Sequence, residues 1–328
     1  MTSWSTSTRI DTAFEKEVPR VTWSVQLPDA VRRLIEAQAE LVGFPALKRA
    51  AAAISDAYRE GRGVRLDAAE RAAYLVTRMP ATYAAAFAVL REVRERIGSA
   101  GSILDIGAGT GAASLAAQQH FPEASITLIE RDSDMLEAAR QWLPEAAVIT
   151  GDAARLDSIP QHDIVIAAYS LGEIRTPLHE RLWQAARVAL VVIEPGTPVG
   201  FSLIRTVRDR LLAVGARMAA PCPAETACPL ADPDWCHFAA RVERSSLHRR
   251  IKEAELGYED EKFSYIALAR NAVNLPQSRI IRRPQYRPGL TVLETCTAGS
   301  LCTQRVAKRD REKFRRARKA AWGDAGIS

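Results

Sequence analysis

The sequence predicts an α/β protein: a doubly wound parallel sheet, an N-terminal helical cap ahead of it and a cysteine-containing basic lobe behind it. Two observations predict the sheet. Residues 103–114 read ILDIGAGTGAAS, a short apolar strand that turns into a helix through Gly107, Gly109 and Gly111. From about residue 98 to 215, short apolar runs alternate with helical ones, the pattern of a parallel sheet with helices on both faces. A third observation sets the scale. The chain has 328 residues, 47% of them hydrophobic, enough for a substantial core and for one large domain or two ordinary ones. The expected division is a helical region over 1–97, a ligand-binding core over 98–218 and the cysteine and basic segment over 219–328.

Each element has its own signal. From residue 27 to 97 alanine and leucine recur at helical spacing. Leu27-Pro28-Asp29 marks a helix start, Gly61-Arg62-Gly63 a break and Met79-Pro80 a second boundary. Strands are expected at 103–106, 125–129, 147–149, 162–168 and 188–194, and a helix over 203–218. Further on, 262–270 alternates well enough for a strand, and 279–283, 290–296 and 301–307 read as further strands. The last two are expected to pair across Ala298-Gly299.

The glycine loop is where chemistry is expected. Alternating glycines between a strand and a helix leave backbone N–H groups bare at the helix N-terminus, with no Cβ to hold a ligand away. Their spacing is G-x-G-x-G, which excludes the G-x-G-x-x-G of nicotinamide and flavin binders. Glu130 ends the second strand, one helix and one strand beyond Gly111. At that separation an acid accepts hydrogen bonds from ribose hydroxyls. Asp152 follows the third strand. With Asp105 inside the first strand, the loop resembles the first motif of the S-adenosylmethionine (SAM)-dependent methyltransferases, which have a Rossmann-like fold. That resemblance implies SAM as cofactor, with Asp105, Gly107, Gly109, Gly111, Glu130 and Asp152 lining its site; Tyr169 and Glu173, in the loop after the fourth strand, are placed to contact the methionine part or a substrate.

Charge and cysteines mark the second half. Residues 241–328 hold 20 Lys/Arg against 10 Asp/Glu, although the whole chain is only +6. The densest stretch, 305–319, has nine basic residues and one aromatic, Phe314, a composition suited to nucleic-acid phosphates or to a solvated helix face. The opening stretch MTSWSTSTRIDTAFEKEVPR mixes charges and lacks an apolar signal core. No apolar run approaches the length of a membrane span. A cytoplasmic protein with no membrane partner is expected. Cys222, Cys228 and Cys236 form C-x5-C-x7-C in a proline-rich loop, with Cys296 and Cys302 much later. Thiolates at such irregular spacing suit an iron–sulfur cluster, one distant cysteine completing the set. Zinc, with His237 in support, is the alternative, although its sites more often use closer pairs.

The segments ACPL, DWCHF, RSSLHRRIK and YEDEKFSYIALAR, with RRARKAAWGD near the C-terminus, resemble the ribosomal small-subunit methyltransferase-like family of bacteria and mitochondria. The resemblance runs from about Leu27 to Asp324. It implies a SAM-dependent methyltransferase fold, a 4Fe–4S cluster on Cys222, Cys228, Cys236 and Cys296, and the small ribosomal subunit and its rRNA as partner; a monomer is expected, since a ribosome-binding factor can work as one. Cys302 has no counterpart and is a rival fourth ligand. The cluster is expected to staple a loop presenting Arg244, His248, Arg249 and Arg250. The reaction has fewer signals. Base N-methylases place [D/N]-P-P-[Y/F] after the fourth strand, whereas this chain has Tyr169-Ser170-Leu171-Gly172-Glu173. Cytosine C5 chemistry needs a cysteine at the end of the fourth or fifth strand, and those strands end in Ala168 and Glu194. No catalytic residue is assigned. An assembly factor that binds SAM and an active rRNA methyltransferase both stay open.

Overall fold

A computed structural model describes residues 24–59, 66–174 and 177–327. The break expected at Gly61-Arg62-Gly63 lies outside these residues. In chain order the elements are β1 (Ser24–Val25), α1 (Asp29–Val42), α2 (Phe44–Arg59), α3 (Ala68–Thr77), α4 (Met79–Ile97), β2 (Ser102–Ile106), α5 (Ala112–His120), β3 (Ser125–Glu130), α6 (Ser133–Arg140), β4 (Ala147–Thr150), β5 (His162–Ala168), α7 (His179–Ala185), β6 (Ala186–Pro195), α8 (Pro198–Ala213), β7 (Arg217–Ala220), β8 (Phe238–Glu243), α9 (Ser246–Lys252), β9 (Tyr258–Ala269), β10 (Arg279–Ile280), β11 (Gln285–Arg287), β12 (Leu290–Cys296), β13 (Leu301–Ala307) and α10 (Arg311–Ala317).

The main sheet runs β1-β8-β9-β6-β5-β2-β3-β4, with β7 also on β9. Its half from β6 to β4 is parallel, whereas β9 runs antiparallel to β6, β7 and β8. This is the α/β class predicted from the strand–helix alternation. Strand side chains point alternately to two faces, and two cores result. Ile103, Ile164, Ile166, Val191 and Ile193 belong to one, packed with α1 to α6. Leu104, Ile106, Val165, Ala167, Leu190 and Val192 belong to the other, under α7 and α8. The helical cap is therefore continuous with the sheet's core. Alanine makes that fit close: Ala84, Ala85 and Ala86 of α4 are fully buried, so the helix lies tight against the strands.

β7 and β8 occupy one edge of β9. Phe263 pairs with Pro195 on one side and Phe238 on the other, and β7 continues along the Phe238 side at Ala267–Ala269. The chain between them, residues 221–237, is a loop pushed out of this edge strand. It holds three of the five cysteines. The second sheet, β10-β12-β11 with β13 on β12, is antiparallel throughout. Ile280, Leu293, Val306, Ala317, Ala320 and Ile327 form its small core. Glu92 of α4 ties it to the first: it accepts from Tyr265 Oη at 2.7 Å and from the Arg279 guanidinium.

Three local expectations change. The helix expected over 203–218 spans 198–213, because Pro198 starts it and Gly215, at φ +91°, ends it; Met218 lies in β7. The strand expected over 279–283 stops at Ile280. The cysteine loop does not present Arg244 and His248. Arg244 is bound to Glu259 at 2.8 Å and His248 is 1% exposed, since α9 packs against the helical cap. The basic stretch of 305–319 folds as part of β13 and as α10.

Candidate functional site

Two sites emerge, built in different ways. The first lies at the carboxyl ends of the parallel strands, where α/β sheets bind ligands. Gly107, Gly109 and Gly111 have φ of +65°, +53° and +73°, a region that side-chain-bearing residues enter only with strain. Two of them are also held by space. A Cβ on Gly107 would come 2.6 Å from Ser170 Cβ, and one on Gly111 would come 2.9 Å from Leu143 Cδ1. A Cβ on Gly109 would meet nothing within 4 Å, so this glycine faces open space.

Backbone and acids lock the loop. The N–H groups of Gly107 and Ala108 donate to the Ile129 carbonyl at 2.8 and 3.1 Å. Gly109 N–H donates to Glu130 Oε2 at 2.9 Å, and the other carboxylate oxygen accepts from the Arg131 and Asp132 N–H groups. Gly111 caps α5 without any side-chain hydrogen bond, leaving the helix N-terminus to a ligand. Asp105 is 1% exposed and accepts from Ser114 Oγ at 2.7 Å. Burial pushes its carboxyl up to about 6. Asp152 Oδ1 accepts from the Ala154 N–H at 2.9 Å, and the Gly151 N–H donates to the Glu130 carbonyl at 2.9 Å, so these two strand ends are joined.

Tyr169 stands at φ +57° directly after β5, its N–H bonded to the Ile193 carbonyl at 2.7 Å. Its hydroxyl donates to Glu261 Oε1 at 3.0 Å. Glu194, near the end of β6, is 3% exposed and accepts from the Gly172 N–H at 3.2 Å. Burial pushes it to about 7, and Glu173 nearby adds to the rise. The same rim therefore carries acids, Glu173, Glu194 and Glu261, that burial holds above the usual carboxylate range. The motif reading did not select Glu261, which lies far along the chain on the antiparallel strand.

The second site is a cavity of about 50 Å³ between the loop of 221–237, α8, β9 and β12. Cys222, Cys228, Cys236 and Cys296 all line it, although Cys296 belongs to a different sheet from the loop and lies far beyond it in sequence. Ser264 Oγ of β9 donates to the Cys236 carbonyl at 2.7 Å and fixes the loop's return. Cys302 is exposed and does not line the cavity. His237 does not line it either; its ring lies 5.3 Å from Trp235 and 4.9 Å from Trp322. Among the described residues no carboxylate or imidazole lines the cavity, and no three His, Cys, Asp or Glu side chains are grouped to hold a metal ion. Burial pushes the Cys296 thiol up to about 12 and those of Cys222 and Cys236 upward. Arg208 beside Cys222 pulls in the opposite direction. Three arginines, Arg205, Arg208 and Arg279, line the same cavity; the side chains of Arg208 and Arg279 are 5% exposed, whereas that of Arg205 is 31% exposed and lies 3.7 Å from Asp232. One sequence signal pointed to Arg208: it falls with Phe201, Ile204 and Leu211 on the buried stripe of α8, where a charge is out of pattern.

Comparison with known proteins adds a lineage to this geometry. Human "Ribosome assembly protein METTL17, mitochondrial" is 27% identical over 283 residues, covering 76% of this chain and 61% of that protein. The chain thus spans about three fifths of this relative. A demethylmenaquinone methyltransferase of Chlamydia trachomatis is 33% identical over 108 residues, covering 32% of this chain and 44% of its own. Among solved structures, the plantazolicin methyltransferase BpumL in complex with SAH aligns with 74% of this chain and 98% of its own, at 12% identity and a TM-score of 0.40. The model of one family, described as mitochondrial small ribosomal subunit Rsm22, matches residues 68–326. That match takes in the glycine loop, the strand-end acids and every cysteine of the cavity, and on it the chain belongs to the Rsm22 family.

Proposed function

We propose that the protein is a SAM-binding, 4Fe–4S-carrying, methyltransferase-like protein that binds rRNA and acts in assembly of the small ribosomal subunit. The observation that carries this reading is the convergence of four cysteines from β12 and the edge loop on one cavity that no carboxylate or imidazole lines among the described residues. An all-thiol donor set suits an iron–sulfur cluster. A cluster also spaces its thiolates more widely than a single tetrahedral ion, in keeping with four thiols that share a cavity without forming a one-ion cage. Cys222, Cys228, Cys236 and Cys296 would hold it. It would act as a staple between β12 and the loop, because metal binding adds directly to folding free energy.

SAM, when bound, supplies a methyl group on a sulfonium. The chain's own part is to bind and orient it. The bare N-terminus of α5 and the open face of Gly109 receive its polar groups, Glu130 receives the ribose hydroxyls, and Asp152 receives the adenine amino group. The acids of the rim favour a cationic ligand. The partner reading rests on family membership and on charge. Arg305, Arg309, Arg311 and Arg315 are exposed on β13, α10 and the turn between them, and cations so placed bind phosphates in a salt-dependent way.

Active rRNA methylation is the second reading, and the preformed glycine loop favours it. Methyl transfer from labelled SAM to assembling small subunits separates the two. Transfer by the protein, lost in Gly109→Arg, establishes the enzyme; subunit binding without transfer establishes the assembly factor. Iron and sulfide analysis of anaerobically purified protein, with its visible spectrum, tests the cluster. Protein free of iron and sulfide refutes it, and zinc in stoichiometric amount replaces it. Crosslinking to rRNA tests the partner for both readings.

A further inference from the structure

Arg208 carries more charge into the cysteine cavity than its visible partners account for. Its guanidinium donates to the carbonyls of Thr226 and Ala224, which ties α8 to the cysteine loop, and to Asp209. It also lies against the Cys222 thiol, and its Nε is buried with no hydrogen-bond partner among the described residues. A buried donor on a cation costs free energy when it is left unmade. The other buried cavity cation, Arg279, is paired with the well-buried Glu92 and bonds to the carbonyls of Pro221 and Gly323; Arg205, the third arginine of the lining, is partly exposed and faces Asp232. Arg208's carboxylate partner, Asp209, has a side chain 55% exposed, so solvent weakens that pair. The cavity therefore holds an under-compensated cation, and protonated thiols do not balance it. Thiols bound to a metal centre are deprotonated outright, and four of them leave such a centre negatively charged.

We propose that Arg208 is the buried counter-cation of the metal centre, its Nε–H donating to a sulfur of that centre. It is a positioning residue and not a ligand. This inference rests on the cluster reading above and adds a role that the cysteine positions do not contain. A cation beside an anionic redox centre favours the reduced, more negative state. It also slows loss of the centre, because departing iron would leave a buried charge uncovered.

The test uses the full-length protein, purified anaerobically, with Arg208→Gln, Arg208→Lys and Arg210→Gln, the last an exposed cation on the same helix. Midpoint potential by redox titration, iron release to a chelator and the Tm of loaded and iron-free protein are measured. Arg208→Gln is expected to lower the reduction equilibrium at least tenfold, equal to about 59 mV for one electron. It is also expected to release iron at least threefold faster, with a larger loss of Tm in the loaded form than in the iron-free form. A purely structural Arg208 would lower both Tm values equally and leave the potential in place. Arg208→Lys, which keeps the charge without the Nε donor, is expected to hold most of the potential while releasing iron faster. It decides the question if Arg208→Gln does not fold: a potential and a release rate both unchanged in Arg208→Lys overturn the proposal. So does an Arg208→Gln protein that behaves as the parent, or an Arg210→Gln protein that shifts as far. A parent protein free of iron and sulfide removes the cluster reading and this inference together, whereas a loaded parent with unaffected variants removes the inference alone.

Discussion

The glycine loop and the cysteine cavity lie on the same sheet, yet one is made of backbone and the other of side chains. The loop's conformation is fixed by residues close in sequence: positive-φ glycines, the Ile129 carbonyl and the Glu130 carboxylate. It needs no ligand to keep its shape. The cavity brings Cys222 and Cys296 together through an edge loop and a strand of the second sheet, and a few side chains, Ser264, Arg205, Arg208 and Arg279, hold that loop from inside. A pocket built from local backbone is preformed. A pocket built from distant thiols depends on what joins them.

That contrast predicts how each site fails. The largest effect is expected from Cys236→Ser, which removes one of four thiols: iron and sulfide fall to background and the loaded protein loses more than about 3 kcal/mol of stability. Denaturant titration beside metal analysis measures both, and retained stability would mean that the cavity holds itself together. Next comes Gly107→Ala. Its left-handed φ and the Ser170 contact together cost about 2–4 kcal/mol, read as a shifted denaturation midpoint. Gly109→Ala, strained but unobstructed, is expected to cost about 1–2 kcal/mol while weakening SAM at least tenfold by calorimetry. Equal stability losses at the two glycines would contradict the geometry.

A smaller effect depends on pH. Asp105 has a folded value of about 6 against an ordinary 3.8. A carboxyl raised in the fold leaves stability intact below about 4, where both states are protonated, and costs stability as pH climbs through 6. Asp105→Asn, which still accepts from Ser114, is therefore expected to gain on the parent by about 2–3 kcal/mol between pH 4 and 7.5. Paired denaturation curves in the absence of SAM check this; a gap that narrows as pH rises reverses the sign. The smallest effect is Cys302→Ser. An exposed thiol outside the cavity should change neither iron content nor Tm, whereas Cys296→Ser removes the metal. Loss of iron in Cys302→Ser would identify the rival ligand.

Local pattern made most of the sheet legible. Strands 162–168, 290–296 and 301–307 were read to the residue, because the first is a buried apolar run with polar residues ahead of it and the other two flank the turn at Ala298-Gly299. The helix placed at 203–218 slipped toward the C-terminus, since 214–218 continues α8's apolar character and only Gly215 marks the break. Arg244 and His248 were misread as a presented surface because the sequence shows their charge and not the ion pair or the helix that covers them. Glu261 was missed for a related reason. Its meeting with Tyr169 joins two strands far apart in the chain, invisible to any motif window.

The sequence by itself determined the strand–helix order, the glycine turn and its acids, for these follow from steric and hydrogen-bonding rules that act between near neighbours in the chain. Only the tertiary structure decided which cysteine joins the three of the edge loop, and that Arg208 shares their cavity. Those placements depend on how β9 carries β7 and β8 along one edge and how the second sheet docks beside it. That is a matter of packing between distant segments, which no short-range rule encodes.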